Sequence, residues 1–554
     1  MPAITVRGRK LSSLVGRELS TEEVAELIAT IGISVEEVVG DEIKAEYNPN
    51  RPDFASHVGI ARTLKGLLGT EVGLYRVKAR KSGWRVLVDP SVKRVRPYVV
   101  GAVVKGLKFS EDDLVELIAV QEDLHWVLGR NRRKVAIGIH DLAKVKPPVR
   151  YVARPLEDVR FVPLHGTFPM SCLEVLEKLP TGRAYGHLVR HSGLAPLILD
   201  GRGEVMSFPP VINSSLTEVT TSTSDVFIDV TGTDVDAING ALNVLVSHLN
   251  DLGGRVHTIE VVEGRRRFTS PDLSVREWHI DLATIEESLG VALSSREVVD
   301  ALRRMRFGAA PSRGKIVVKV PPHRTDILHP VDFAEEVAIA VWSRLEPEVP
   351  KTHGFGSVHR RSRVEEVLRS LMIGLGFTEV VNTVLLNSVN LTRFLPPDSP
   401  GPVRLLNPAS VEYNSLRTTL IPGLLGNLAL NKHNPFPQRL FEIGDVVLYD
   451  ESKPELTRRA LKMACVTSHS QASYTEIKSV YEEVSRFLKI NLVPVEKDYP
   501  FLVEGRSVAL TTDGAEVGLA GEVHPAVLEE SGVEMPTAVM ELDVESIGPF
   551  KVSG

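Results

Sequence analysis

Hydrophobic positions recur in short blocks along the chain, and their spacing changes repeatedly between the strand and the helical period. AITV at residues 3–6 predicts a strand, and EVAELIATIG behind it predicts a helix that starts at the cap residue Thr21 and stops at Gly32. The β-branched runs VRPYVVGAVVKGLKF and KVAIGIHDL predict strands farther along. The pattern predicts a mixed, multidomain α+β protein.

Length and changes in pattern divide the chain into four predicted domains. A chain of 554 residues is too long for one hydrophobic core. Residues 1–88 combine strands with two amphipathic helices, and residues 89–268 are rich in predicted strands. Residues 269–345 form a small α/β block around the strand KIVVKV. Residues 350–554 begin with a helix and a strand and end with strands such as VALTTDGAEVGLAGEV.

Composition excludes several classes of protein. The formal net charge of −6 is not that of a basic nucleic-acid binder, although a local basic face remains open. The two cysteines, Cys172 and Cys465, are too few for a disulfide framework and fit a reducing compartment. No apolar run approaches a membrane span, and the N-terminus lacks a signal core. We therefore expect a cytoplasmic protein without a membrane partner.

The segment PPHRTDILHPVDFAEEVAIAVW, residues 321–342, concentrates acidic side chains where a Pro-rich loop enters a predicted helix. Its four carboxylates are those of Asp326, Asp332, Glu335 and Glu336. Oxygen ligands at such a junction suit a hard cation such as Mg²⁺. Acidic residues are also favoured in a first helical turn because they complement the helix dipole. Both interpretations stay open from spacing alone.

Four strings occur in the order typical of one known family. They are NPNRPDFASHVGIAR (48–62), the pair IGIHDL (137–142) and FIDVTGTD (227–234), the acidic segment, and residues 407–447, which end in QRLFEIGDVV. Together they resemble the phenylalanyl-tRNA synthetase beta subunit in its short, archaeal or eukaryotic form. The resemblance covers nearly the whole chain.

The resemblance implies an assembly of two alpha and two beta chains that joins phenylalanine to tRNA(Phe) with ATP and Mg²⁺. ATP would be used on the alpha chain, which holds the synthetic site. The four predicted domains would be an N-terminal α/β domain, a β-rich editing domain, a small winged-helix-like domain and an inactive class II synthetase-like antiparallel module. Asp326, Asp332, Glu335 and Glu336 match the family's Mg²⁺-binding positions.

The last module lacks charges that class II synthesis requires. Such chemistry uses one arginine in a second motif and another in a third motif to hold ATP phosphates. The second-motif region keeps Arg439 and Glu442, but residues 518–547, where the third motif is expected, contain no arginine. We interpret the module as a structural partner of the alpha chain and Arg439 as a solvated or salt-bridged side chain.

Hydrolysis of mischarged tRNA is the chemistry that the resemblance assigns to this chain. A hydrophobic pocket discriminates poorly against an added hydroxyl, so tyrosine attached to tRNA(Phe) requires a second, hydrolytic site. Asp229 and Thr231 alternate on a predicted strand, share one side of it and match editing-pocket positions. Leu197 and Ser207 match less well. The alternative is that Asp229 and Thr231 make only local hydrogen bonds; His140 has no assigned role.

Two other functions compete with this interpretation. The first is a non-enzymatic tRNA-binding or assembly protein with a dead editing pocket. The second, a self-sufficient class II ligase, is disfavoured by the missing third-motif arginine. The basic run GRNRRK, with Arg130, Arg132, Arg133 and Lys134, is a candidate contact for the tRNA backbone or a solvated charge cluster.

Overall fold

The computed structural model describes residues 2–346, 349, 352, 354–395 and 399–547. The chain divides into two compact units, Met1–Val349 and Pro350–Gly554. Helices and sheets occur in both units, which confirms the predicted α+β multidomain class. No helix among the described residues is both long and apolar enough to cross a membrane.

Sixteen α-helices lie within these described ranges. They are α1 Gly8–Val15, α2 Thr21–Thr30, α3 His57–Leu67, α4 Glu111–Trp126, α5 Cys172–Lys178, α6 Pro180–Tyr185, α7 His187–Arg190, α8 Val235–Asp251, α9 Leu282–Leu289, α10 Ser295–Arg304, α11 Pro330–Val341, α12 Arg360–Gly374, α13 Ser388–Thr392, α14 Ile421–Leu430, α15 Tyr474–Leu488 and α16 Pro525–Ser531.

The strands of the first unit outnumber its helices. They are β1 Ala3–Arg7, β2 Ser34–Val39, β3 Glu42–Glu46, β4 Arg80–Val88, β5 Tyr98–Lys105, β6 Val135–Asp141, β7 Val149–Pro155, β8 Arg160–Phe161, β9 Met170–Ser171, β10 Leu194–Leu199, β11 Val205–Phe208, β12 Ile212–Asn213, β13 Asp225–Gly232, β14 Arg255–Glu263, β15 Arg266–Ser270, β16 Arg276–Ile280, β17 Gly308–Ser312 and β18 Lys315–Val320.

The strands of the second unit are β19 Thr378–Glu379, β20 Leu385–Leu386, β21 Ser415–Leu416, β22 Gln438–Tyr449, β23 Thr457–Ser468, β24 Val493–Glu496, β25 Leu502–Thr512, β26 Ala515–Val523 and β27 Thr537–Asp543.

The N-terminal region packs α1, α2 and α3 with the three-stranded sheet β1-β3-β2. The cap of α2 is Ser20 rather than the predicted Thr21, since the Ser20 hydroxyl accepts from the Glu23 amide at 3.1 Å and Glu23 reciprocates. This reciprocal pairing satisfies two donors at the helix start, whereas a single-residue cap satisfies one. The helix ends at Thr30, two residues before Gly32.

A ten-stranded sheet, with the order β12-β11-β10-β7-β4-β14-β5-β13-β6 and β15 paired to β14, dominates the first unit. One face packs Val230 and its neighbours on α8, and the other face buries Phe227 and Tyr151. Strand β4 belongs to this sheet, so the predicted boundary at residue 88 separates a strand from its partners. The boundary is better drawn ahead of β4, because the parallel pairing of β4 with β14 connects residues distant in sequence.

A second, three-stranded sheet, β16-β18-β17, packs with α9, α10 and α11 around Phe333 and Val318. It corresponds to the small α/β block of residues 269–345. The acidic segment runs from the end of β18 into α11.

The second unit is built on a seven-stranded sheet, β19-β22-β23-β27-β26-β25-β24. All neighbours pair antiparallel except β19 with β22. Helices α12 and α15 cover one face, and α14 and α16 cover the other. Pro350, where the predicted fourth domain begins, lies outside the described residues.

Candidate functional site

Asp229 lies in the middle of β13 and forms a buried pair with His140 of β6. The register sets Asp229 opposite Gly138 and Phe227 opposite His140, so all four lie on the sheet face that turns away from α8. His140 Nε2 is 2.7 Å from Asp229 Oδ1, and the two side chains are 0% and 1% exposed. The predicted alternation is therefore correct, but the partner of Asp229 is distant in sequence rather than local.

The surroundings of this pair fix the imidazole and leave one carboxylate oxygen unused. His140 Nδ1 lies 2.7 Å from the Thr217 hydroxyl, which follows β12 at the opposite end of the sheet. Asp229 Oδ2 is buried without a hydrogen-bond partner. A Cβ at Gly138 would lie 2.5 Å from Asp229 Oδ1 and 2.6 Å from His140 Nε2, so only glycine leaves room for the pair.

Thr231 is held by a buried arginine. Arg96 Nε donates to the Thr231 hydroxyl at 3.0 Å, and its Nη2 donates to the Thr231 carbonyl at 2.8 Å. Its Nη1 donates to the carbonyls of Arg132 and Arg133 at 3.2 and 3.1 Å. Burial lowers the pKa of Arg96 to about 10, so the guanidinium stays charged at neutral pH. One side chain thus connects Thr231 to the basic run.

A cavity of about 190 Å³ lies beside these residues. Its wall includes Ala136, the β6 residue paired with Thr231, together with Ser207 and Asn213. Asp229 and Thr231 are adjacent to this wall but do not line it. Leu197, the weaker match, packs in a different hydrophobic core against α5.

The lining of the cavity includes three polar side chains that contact one another. Arg132 donates two bonds to Glu122, at 2.7 and 2.9 Å. His125 Nε2 accepts from the Ile137 amide at 2.8 Å, so the ring proton is on Nδ1, 3.3 Å from Glu122. Burial would raise the pKa of Glu122, but the hydrogen bond from His125 and the Arg132 charge lower it to about 2.

Sequence reasoning identified Arg132 but missed Glu122 and His125. Both lie on α4, and their proximity to the cavity depends on how that helix packs against β6. No local pattern in the sequence indicates it.

The acidic segment does not bring its four carboxylates to one point. Arg324 Nε donates to Asp326 Oδ1 at 2.9 Å and its Nη2 to Asp326 Oδ2 at 2.6 Å, and Nη2 also donates to Glu336. Asp332 instead accepts the amides of Leu328 and His329, each at 2.7 Å, which is the helix-start role weighed as the alternative.

Glu335 lies at the surface, with part of its side chain against the protein. This partial burial, together with the negative charges of Glu336 and Asp326, raises the pKa of Glu335. Within the ranges that the structure describes, no group of three or more His, Cys, Asp or Glu side chains is arranged to hold a metal ion. In this structure a guanidinium engages two of the carboxylates and helix capping engages a third, so the four-ligand site stays a prediction.

Comparison with known proteins decides the family. Residues 278–341 match the tRNA synthetase B5 domain, and residues 345–544 match the phenylalanyl tRNA synthetase beta chain CLM domain. The phenylalanine–tRNA ligase beta subunit of Archaeoglobus fulgidus is 40% identical over 99% of this chain and 98% of its own. The chain belongs to the phenylalanine–tRNA ligase beta subunit family.

Two further relatives support the assignment to this beta subunit family. The Korarchaeum cryptofilum beta subunit is 40% identical over 99% of each chain. An N-terminal fragment of the Pyrococcus horikoshii phenylalanyl-tRNA synthetase beta subunit superimposes with a TM-score of 0.59 at 39% identity, over 61% of this chain and 99% of that one.

In the region that matches the beta-chain CLM domain, Arg439 and Glu442 are each engaged by other residues of the second unit. Arg439 Nη2 lies 2.8 Å from Glu476 Oε1, in agreement with the salt-bridged interpretation of Arg439. Glu442 is buried and accepts from Arg417 Nη1 at 2.6 Å and from the Asn382 side-chain amide at 2.7 Å. Both side chains serve internal structure.

Proposed function

We propose that this chain is the beta subunit of a phenylalanine–tRNA ligase that works with an alpha chain, in a tetramer of two alpha and two beta chains. Phenylalanine would be activated with ATP on the alpha chain. The beta chain would bind tRNA(Phe), support the alpha chain and hydrolyse tyrosine wrongly attached to the tRNA. The observation that carries this proposal is the 40% identity to an archaeal beta subunit over 99% of the chain. A cytoplasmic location remains a prediction.

The editing reaction would take place at the sheet face that carries Asp229 and Thr231. Water adds to the ester carbonyl, the bond to the terminal ribose oxygen breaks, and tyrosine and tRNA(Phe) leave. Asp229 Oδ2 does not line the cavity, but it is a buried acceptor without a partner and suits a phenolic hydroxyl that the cavity wall beside Ala136 would have to admit. Arg96 connects Thr231 to the carbonyls of the basic run by hydrogen bonds and would hold this side of the pocket in place.

The basic run would contact the tRNA backbone. Lys134 pairs with Asp234 at 2.6 Å and Arg132 pairs with Glu122, whereas Arg130 and Arg133 are exposed. The variant carrying Arg130→Asn and Arg133→Gln is expected to weaken tRNA binding and to flatten its dependence on salt by about one unit of slope per lost contact. Asparagine suits position 130, where φ is +46°. Unchanged binding and slope would remove this patch from the proposal.

Mg²⁺ would bind to the acidic segment as a structural ion. The carboxylates of Asp326, Glu335 and Glu336 are the candidates, because the charges of Asp326 and Glu336 act on Glu335 and Glu336 Oε2 is buried without a partner. Asp326 and Glu336 would first have to leave Arg324, which holds both of them here. Bound Mg²⁺ would neutralise this charge and retain several waters. Asp332 does not fit, since its carboxylate already caps α11.

The test uses the chain assembled with its candidate alpha chain and tRNA(Phe) mischarged with radiolabelled tyrosine. Release of tyrosine should fall at least tenfold in Asp229→Ala and Thr231→Val, while phenylalanine-dependent pyrophosphate exchange is retained. Exchange should require the alpha chain. Absence of tyrosine release in the wild-type complex would favour the alternative, a tRNA-binding assembly protein with a dead pocket. Exchange by this chain alone would overturn the non-catalytic assignment of its second unit.

A further inference from the structure

His140 contacts Asp229 but has no role in the editing proposal above. Its side chain is fully buried, on the strand next to β13. Both ring nitrogens have partners at 2.7 Å, Asp229 Oδ1 on Nε2 and the Thr217 hydroxyl on Nδ1. A histidine that is engaged at both nitrogens and shielded from solvent has no free lone pair to accept a proton from water. General-base catalysis by His140 is therefore inconsistent with its contacts.

The same contacts suit an orienting role. A carboxylate oxygen only accepts, so Nε2 carries the proton toward Asp229 Oδ1, and the Thr217 hydroxyl can donate to Nδ1. A histidine whose second nitrogen is held by a partner has a fixed tautomer and ring orientation. The bond to Oδ1 consequently fixes the plane of the carboxylate and leaves Oδ2 as the unpartnered acceptor.

Gly138 supports this interpretation independently. It is the cross-strand partner of Asp229, and a Cβ there would lie only 2.5 Å from Asp229 Oδ1 and 2.6 Å from His140 Nε2. The backbone therefore leaves space that the His140–Asp229 pair requires.

We infer that His140 is a positioning residue that, together with Thr217, orients Asp229 so that Oδ2 accepts the phenolic hydroxyl of a tyrosyl group on tRNA. This inference rests on the proposed editing function and deepens it, because it explains how the pocket would select tyrosine over phenylalanine. Selection would come from one oriented acceptor, which phenylalanine leaves unpaired.

The test compares hydrolysis of tyrosyl-tRNA(Phe) and phenylalanyl-tRNA(Phe) by the assembled complex. His140→Leu should slow release of tyrosine by about 10- to 100-fold, the range for a lost hydrogen bond to a charged group, and leave release of phenylalanine unchanged. His140→Gln should restore most of the tyrosine rate, because its side-chain NH₂ can replace Nε2–H. Thr217→Val, which removes only the hydroxyl on Nδ1, should give a smaller loss of the same kind. His257→Leu on β14 is the control.

The outcomes separate the inference from the proposed function. If Asp229→Ala loses tyrosine release but His140→Leu does not, the positioning role is overturned and the editing proposal stands. If both substrates lose rate equally and glutamine does not rescue it, His140 has only a structural role and the inference fails. If Asp229→Ala has no effect, the editing proposal itself fails. If His140→Leu does not fold, Thr217→Val decides: a selective loss for tyrosine supports the role, and no loss overturns it.

Discussion

Arg51 and Asp53 form a buried ion pair through two hydrogen bonds. Arg51 Nε lies 2.9 Å from Asp53 Oδ1, and Arg51 Nη2 lies 2.9 Å from Asp53 Oδ2. The guanidinium also stacks on Phe54 at 3.8 Å, and its Nη1 is 3.7 Å from Glu336 of the acidic segment. The NRPD string and the acidic segment, which are separate motifs in the sequence, therefore meet in one buried charge cluster.

Breaking this pair is expected to destabilise the first unit strongly. Arg51→Met keeps most of the side-chain volume but leaves Asp53 without its main counter-charge, and removal of one partner from a buried pair costs about 3–5 kcal/mol. All four tryptophans, Trp84, Trp126, Trp278 and Trp342, lie in the first unit, so their fluorescence reports its unfolding in denaturant.

The matched control for Arg51→Met is Lys44→Met. Lys44 Nζ is 2.6 Å from a Glu37 carboxylate oxygen, but these two side chains are 61% and 52% exposed. Loss of this ion pair should therefore leave the midpoint of denaturant unfolding unchanged. Equal effects of the two substitutions would contradict the importance of burial.

The stability that Glu116 contributes is expected to depend on pH. Burial would raise the pKa of Glu116, but hydrogen bonds from His57 and Lys10 lower it to about 2. The unfolded value is about 4.3, so the contribution of Glu116, about 3 kcal/mol, is complete above that pH and is lost as the pH falls toward 2. The free energy of unfolding should thus differ most between the wild type and Glu116→Gln near pH 5 and converge near pH 2.

Glu26→Gln, at an exposed position of α2, controls for the loss of one charge. A Glu116→Gln difference that does not change with pH would mean that His57 and Lys10 do not stabilise the Glu116 carboxylate.

Helix capping could be predicted from the sequence, whereas contacts between residues distant in sequence could not. Ser56 immediately precedes α3 and is a residue type that favours the N-cap, and its hydroxyl accepts from the Gly59 amide at 3.2 Å. Asp332 likewise accepts backbone amides at the start of α11, the role that acidic residues favour in a first helical turn. The partners of Asp229 and Thr231, in contrast, come from other strands and from Arg96, and only the sheet order brings them together. Arg324 lies only two positions from Asp326, but spacing alone does not show that its guanidinium engages the carboxylates of the acidic segment.

The magnesium proposal leads to a third prediction, with opposite signs in the absence and presence of the ion. Without Mg²⁺, Glu335→Gln should raise the thermal midpoint slightly, because it removes repulsion from Glu336 and Asp326. With Mg²⁺, only the wild type should gain stability, by roughly 2.7 kcal/mol when the free ion is at 100 times its Kd. Tryptophan fluorescence during heating measures both effects.

Asp332→Asn tests which carboxylates belong to the site. It weakens the start of α11, at a cost of about 1 kcal/mol, but it should keep the response to Mg²⁺. Loss of that response in Asp332→Asn would restore the four-ligand set and show that Asp332 leaves its capping position when the ion binds.

The last prediction tests the space that Gly138 leaves for the Asp229–His140 pair. In Gly138→Ala the new methyl group would lie 2.5 Å from Asp229 Oδ1 and 2.6 Å from His140 Nε2, so one of the two side chains must move. We expect release of tyrosine from mischarged tRNA(Phe) to fall at least tenfold, with pyrophosphate exchange by the complex unchanged. Gly426→Ala on α14 is the control, because a Cβ there meets nothing within 4 Å. Since alanine also favours the helix at that position, Gly426→Ala should be as stable as the wild type or more so. Full editing activity in Gly138→Ala would mean that the pair is not needed in the observed geometry.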